Sequence, residues 1–474
     1  MNTDTIAAIA TPSGIGGIGI IRISGPAALA IATTLFRAGG NGTSGDGAIA
    51  GRRPQGLFRS HRLYYGHIVD PVTKIPVDEV LLAVMRAPRS YTRQDVVEIQ
   101  AHAGAAVLRR VLELVLRQGA RMADPGEFTQ RAFFNGRIDL TQAEAVIDVI
   151  NARTQTALAM AAQQAAGRLK QAVENIRGLL IELLVPIEAA IDFPDDVPEI
   201  RAADQVAAQL HHPIAGLVTD LMSRYKQGHI YRDGLKLVIV GRPNVGKSSL
   251  LNRLLDRERS IVTTIPGTTR DFVEDSFQVQ GVPVTVTDTA GLHDAADPIE
   301  KIGMSKTMKC LETADLILLV IDGSEELTED DRKIFKICED KPIIVTVNKI
   351  DLFGDRKNGV AVLPDNRDAE TSIGISALYG DGIEELKQRI AMAAGAMPYD
   401  PQHNAAIPNL RHQQALEKCH QHIMTAIEGL VDRQPSELVA IDIREAVGCC
   451  DEILGFGINF DVLDQIFSRF CIGK

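Results

Sequence analysis

The spacing of apolar residues changes character along the chain. Short β-rich runs at 5–10, 19–23 and 79–85 are separated by Gly/Pro turns, and apolar residues at three- and four-residue spacing predict a helix over 105–118. This mixture reads as an α+β domain over 1–136, with a long Gly-, Ser- and Asn-rich loop at 38–56. From 139 to about 225 the period becomes helical, through LTQAEAVIDVINARTQTALAM and on to GLLIELLVPIEAAI, with a break at DFPDDVP (192–198). From 235 onward strand-like runs and helices alternate as in an open α/β sheet. The segment AMPYDPQHNAAIP (396–408) reads as a linker, and helical spacing resumes over 409–470. The expected organisation is multi-domain α/β and α. An α+β domain (1–136) precedes the first part of a helical domain (137–230), an α/β domain (231–396) and a second helical part (397–474), so the α/β domain reads as an insertion into the helical one.

The strand-like run LKLVIV (235–240) leads directly into GRPNVGKS (241–248) and the helical SLLNRLLD. That strand–loop–helix order is what a phosphate-binding loop needs, because glycines let backbone N–H groups turn onto phosphate oxygens at a helix N-terminus. Asn244, Val245, Gly246, Lys247, Ser248 and Ser249 form this loop, with Lys247 aimed at the β- and γ-phosphates and Ser248 at Mg²⁺. Downstream, VPVTVTDTAG (282–291) is a strand ending in Asp288-Thr289-Ala290-Gly291, the arrangement that couples a Mg²⁺-linked carboxylate to a γ-phosphate-sensing backbone. PIIVTV (342–347) delivers Asn348, Lys349 and Asp351, whose carboxylate matches the paired N1 and N2 donors of guanine. TSIGIS (371–376) ends at Ser376 and Ala377, whose backbone faces the guanine O6 in such a site. These elements, in this order, predict a Ras-like P-loop GTPase domain.

The catalytic group is less plain. Leu292 follows the DxxG glycine where many small GTPases carry Gln. TTIPGTTRD (263–271) supplies Thr269 as the switch ligand to Mg²⁺, and Asn244 with the turn at 263–268 is suited to enclosing a monovalent cation. Glu300 is a candidate for positioning water, although a solvated helix residue is the simpler reading of that position taken alone.

Composition narrows the rest. A chain of 474 residues exceeds one ordinary domain, and a net charge of −11 argues against a general nucleic-acid-binding coat. Arg52, Arg53, Arg59, His61 and Arg62 form a basic cluster that reads as a solvated loop. The N-terminus lacks a basic segment followed by an apolar core, no apolar run is long enough for a bilayer, and the six cysteines lack metal or disulfide spacing. A cytoplasmic protein without membrane attachment is expected. GIGGIG (14–19) matches a dinucleotide fingerprint, but IGIIRISG after it reads as a strand instead of the required helix. The terminal CIGK (471–474) does not fit a prenylation box.

The phosphate loop, the GTTRD segment, Glu300, PGEFTQRAFFNGRIDLTQAEAV (125–146) and the terminal FCIGK together resemble the MnmE (TrmE) tRNA-modification GTPase family over the whole chain. The resemblance implies an N-terminal tetrahydrofolate-binding and dimerisation domain, and a GTPase domain inserted in a helical one. It implies a homodimer that acts with an MnmG-type flavoprotein carrying FAD to install an aminomethyl-type group at C5 of the wobble uridine of tRNA, with a tetrahydrofolate derivative supplying the carbon. By the same resemblance Asn244, Thr263, Ile265 and Thr268 would surround K⁺, Ser248 and Thr269 would bind Mg²⁺, and Thr264, Pro266 and Gly267 would line the nucleotide. Glu300 would orient water, with Lys247 and Thr269 completing the catalytic set. Arg22, Glu98, Arg137 and Lys474 would contact folate, and Cys471 would lie near the modification site. This chain departs from the family's usual pattern at Ile15, Ala103, Arg137 and His293. A GTP-switched RNA- or ribosome-binding assembly factor is the alternative that the GTPase elements alone allow.

Overall fold

The computed structural model describes residues 4–12, 14, 16–39, 58–193, 203–255, 274–288, 310–338, 341–352, 372–395 and 407–474. The chain divides into two compact units: Met1–Ile147 with Asp451–Lys474, and Asp148–Cys450.

In the first unit the alternating runs become β1 (Ile6–Ile9), β2 (Ile18–Ser24), β3 (Phe36–Ala38), β4 (Arg62–Val69), β5 (Pro76–Met85), β6 (Val96–His102) and β7 (Arg121–Met122). They form one sheet in the order β3-β4-β5-β6-β2-β1-β7. Strand β2 begins within the run 14–19, at Ile18, so the chain there enters a sheet, as its apolar pattern requires. Helix Ala105–Arg117 buries Leu108, Val111, Leu112 and Val115, the stripe that its three- and four-residue spacing prescribes. That stripe joins Ile21, Ile23, Leu82 and Ile99 in one core. Because side chains alternate along a strand, the neighbours Arg22 and Glu98 project from the opposite face. They are direct cross-strand partners between β2 and β6.

The chain's last residues belong to this unit. Leu140 and Ala143, at the start of helix Leu140–Asn151, pack with Leu463, Ile466, Phe467 and Phe470. Gly473 closes the arrangement with φ +96°, a conformation that disfavours any side chain, and a Cβ there would lie 2.6 Å from the Ile9 carbonyl oxygen. Beside β1, buried Glu127 and Arg131 pair at 2.9 Å, and Arg121 reaches Glu127 at 2.6 Å.

In the second unit helix Leu410–Val431 packs on helix Gly216–Asp233, the element that precedes the sheet. The sheet comprises β8 (Leu235–Val240), β9 (Glu274–Val279), β10 (Val282–Asp288), β11 (Leu316–Asp322), β12 (Ile343–Asn348) and β13 (Ser372–Gly374). Its order is β13-β12-β11-β8-β10-β9. All neighbouring pairs are parallel except β9 with β10. The run LILLVID is buried at every position of β11, as expected of a strand covered on both faces. Strand β13 is shorter than the run 371–376: the Ser376 N–H donates to the Asp381 carbonyl at 3.0 Å, so local turn bonding replaces the ladder there. The chain leaves β8 toward β10 on one side and returns to β11 on the other. Crevices at such a reversal, at the carboxyl ends of the strands, are where open α/β sheets bind ligands.

Candidate functional site

The phosphate loop occupies that position. It leaves β8 at Val240 and enters helix Lys247–Leu255, with Asn244 in the left-handed region at φ 64°. The loop folds around its own lysine. The buried Lys247 ammonium donates to the carbonyls of Gly241 at 2.8 Å and Arg242 at 2.7 Å. Asn244, Ser248 and Ser249 are exposed, whereas Val245 is buried beneath them. Gly246 has φ +98°, and a Cβ on it would lie 2.2 Å from Asn348 Nδ2. Any side chain at Gly246 would therefore displace Asn348.

Asn348 is the hub of the site. Its buried amide Nδ2 donates to the Val245 carbonyl at 2.8 Å, while its Oδ1 accepts from the Ala377 N–H at 2.9 Å. One side chain thereby ties the phosphate loop after β8 to the loop after β13, and both of its polar ends are satisfied out of water. In the next turn Ser376 Oγ donates to Asp351 Oδ1 at 2.6 Å, holding the exposed carboxylate to the same loop. Of the backbone groups of Ser376 and Ala377, the Ala377 N–H is engaged by Asn348.

Three further side chains belong to this constellation and were not singled out from the sequence. Asp322, at the end of β11 and in register with Asn348 on β12, pairs with Lys349 at 2.5 Å. Burial pushes the Asp322 carboxyl up, but hydrogen bonds from Lys349 and Ser324 outweigh it and hold it below the usual carboxylate range. A fully buried run ending in a carboxylate was the available signal. Arg242, inside the phosphate loop, pairs with the buried Asp331 at 2.8 Å. Asp331 also accepts from Thr328 Oγ1 at 2.8 Å at the start of helix Glu329–Cys338, so that helix anchors the loop's flank. Arg253, on the phosphate-loop helix, donates to the Ala377 carbonyl at 3.1 Å.

Strand β10 ends on Asp288, in register with Ile239 beside the phosphate loop. The positions Thr263, Thr264, Ile265, Pro266, Gly267, Thr268, Thr269, Thr289, Ala290, Gly291 and Glu300 lie outside the described residues. Among the described residues, no helix is long and apolar enough to cross a membrane.

In the first unit, Arg22 Nε donates to Glu98 Oε1 at 2.8 Å, and Arg22 Nη1 donates to the Gly473 carbonyl at 3.0 Å. The fold thus brings Arg22, Glu98 and the terminal CIGK together across 451 sequence positions. Cys471 is exposed and Lys474 half-buried. Arg137 lies over the Tyr91 ring, 4.7 Å from its centroid, and donates to the Tyr91 carbonyl at 3.0 Å.

Comparison with known proteins accounts for both units. A family model described as the MnmE helical domain matches residues 140–471, and one described as the GTP-binding protein TrmE N-terminus matches 5–137. The tRNA modification GTPase MnmE of Geobacter sulfurreducens is 46% identical, with 99% of each chain covered. That of Syntrophus aciditrophicus is 45% identical over 100% of both chains. The chain belongs to the MnmE family of tRNA modification GTPases. A variant of Era from Aquifex aeolicus, solved with GDP and aluminium fluoride, is 30% identical over 40% of this chain and 67% of its own, with a TM-score of 0.29. The phosphate loop, the Asn348 hub and Asp351 all stand at the carboxyl ends of parallel strands, where open α/β sheets bind ligands.

Proposed function

We propose that this MnmE-family chain hydrolyses GTP in the service of tRNA modification, with guanine read by Asp351 and the phosphates held by the loop 241–248. The observation that carries the reading is the Asn348 bridge between Val245 and Ala377, which gives the phosphate and base subsites one shared support. The chain's own residues divide the work. Lys247, at the floor of the loop, is placed to exchange its carbonyl partners for phosphate oxygens. The exposed Ser248 hydroxyl at the start of the helix suits a hard cation, and Ser248 with Thr269 would hold Mg²⁺. Asn244 with Thr263, Ile265 and Thr268 would hold K⁺, and Glu300 would orient the attacking water. When bound, the two cations supply positive charge against the phosphoryl oxygens.

The wider activity belongs to the same proposal: a cytoplasmic homodimer working with an MnmG-type, FAD-bearing flavoprotein, building an aminomethyl or carboxymethylaminomethyl group on C5 of the wobble uridine. Arg22, Glu98, Arg137 and Lys474 would hold the tetrahydrofolate derivative. The Arg22–Glu98 pair and the adjoining tail supply a mixed donor and acceptor set that fits a pterin-like ligand. Cys471 would face the modification site from the same tail. The boundaries 1–136, 137–230, 231–396 and 397–474 are part of this reading.

The deciding experiment is GTP hydrolysis by the purified chain in KCl and NaCl at equal ionic strength. A several-fold or larger stimulation by K⁺ supports the cation loop. Equal rates would remove the cation assignment and favour a GTP-switched RNA- or ribosome-binding factor.

A further inference from the structure

Arg253 has no place in the phosphate-loop motif, yet it joins the phosphate-loop helix to the loop after β13. It lies half-buried in the last turn of helix Lys247–Leu255. Its Nε donates to the Ala377 carbonyl at 3.1 Å, and its Nη2 donates to the next carbonyl, that of Leu378. Two consecutive carbonyls on one planar guanidinium fix the orientation of both peptide planes, which a single-point donor such as lysine cannot do. The second of those planes carries the Tyr379 N–H, which donates to Ser376 Oγ at 3.2 Å. Ser376 Oγ in turn donates to Asp351 Oδ1 at 2.6 Å. A continuous set of hydrogen bonds therefore runs from the phosphate-loop helix through Arg253, the turn at 376–379 and Ser376 to the carboxylate that reads the base.

We infer that Arg253 is a positioning residue for guanine recognition, holding the turn after β13 so that Ser376 presents Asp351 at a set distance from the phosphate loop. The inference rests on the guanine-nucleotide reading above. Asn348 ties the two loops at their buried side and Arg253 at their outer side, so loss of Arg253 leaves the turn attached but free to pivot.

The test compares affinities of the full chain for GDP, IDP and ADP by competition against a fluorescent GDP, for wild type, Arg253→Ala and Arg253→Lys. IDP lacks the guanine 2-amino group, so the GDP-to-IDP ratio reports how well Asp351 is placed. Arg253→Ala is expected to weaken GDP about tenfold and to shrink the GDP-to-IDP ratio to near unity, with Arg253→Lys recovering only part of it. A merely structural role would weaken GDP and IDP equally, so an unchanged ratio in Arg253→Ala overturns the inference. A wild-type chain that fails to prefer GDP over ADP would instead overturn the guanine reading beneath it.

Discussion

Asn348 Nδ2 and the Val245 carbonyl lie 2.8 Å apart across 103 sequence positions, and this buried bond joins the end of β12 to the loop after β8. Asn348→Ala would leave that carbonyl and the Ala377 N–H without partners, at about 1–3 kcal/mol for each buried group. The variant should melt at lower temperature and bind fluorescent GDP at least about tenfold more weakly. Wild-type affinity in the variant would remove Asn348 from the role of shared support.

Base selectivity is assigned to a single carboxylate. Asp351 is exposed and held by Ser376 Oγ, so its free oxygen remains available to the base edge. Asp351→Asn replaces an acceptor with a donor and should turn preference from GTP to xanthosine triphosphate, by about a hundredfold in the ratio of kcat/KM values. Steady-state hydrolysis of both nucleotides checks this, and unchanged GTP selectivity would refute the assignment.

Glu300 is proposed to act on water and not to grip the nucleotide. Glu300→Ala is therefore expected to lower kcat about a hundredfold or more while GTP affinity stays within a few-fold. Single-turnover hydrolysis beside equilibrium binding separates the two, and parallel losses would count against a catalytic role.

Stability of the first unit should respond to acid through Glu127. Burial pushes its carboxyl up, but bonds from Arg121, the Asp124 N–H and Arg131 outweigh burial and hold it below its ordinary 4.5. A depressed folded-state pKa contributes stability in full above 4.5, and that contribution is lost as pH falls through the folded value. Glu127→Gln should cost about 3 kcal/mol near neutrality, because the buried Arg131 and the adjoining Arg121 lose a carboxylate they share, leaving Asp4 as the charge partner common to both. The gap between wild type and variant should then close on acidification below 4.5, as read by denaturant unfolding at several pH values. A gap independent of pH would mean that the network is not the source of the stability.

Much of the nucleotide site was legible in one dimension because its chemistry is local. The strand 235–240, the glycines, Lys247 and Ser248 are contiguous, and Asp288 and Asn348 each close their own apolar run, so short-range period and spacing predicted the strand ends on which they stand. The α+β texture of the first unit and the rejection of a dinucleotide fold at 14–19 rested on the same strand period. What tertiary structure alone decided are bonds between distant positions. Asn348 reaches Val245, Lys349 reaches Asp322, Arg253 reaches Ala377, and Arg22 reaches Gly473. Each of these pairs unites elements that become neighbours only when strands take their order in the sheet or the tail returns to β2. Residue spacing encodes which face of an element is apolar, but it holds no record of which remote partner will satisfy a polar group once that face is buried.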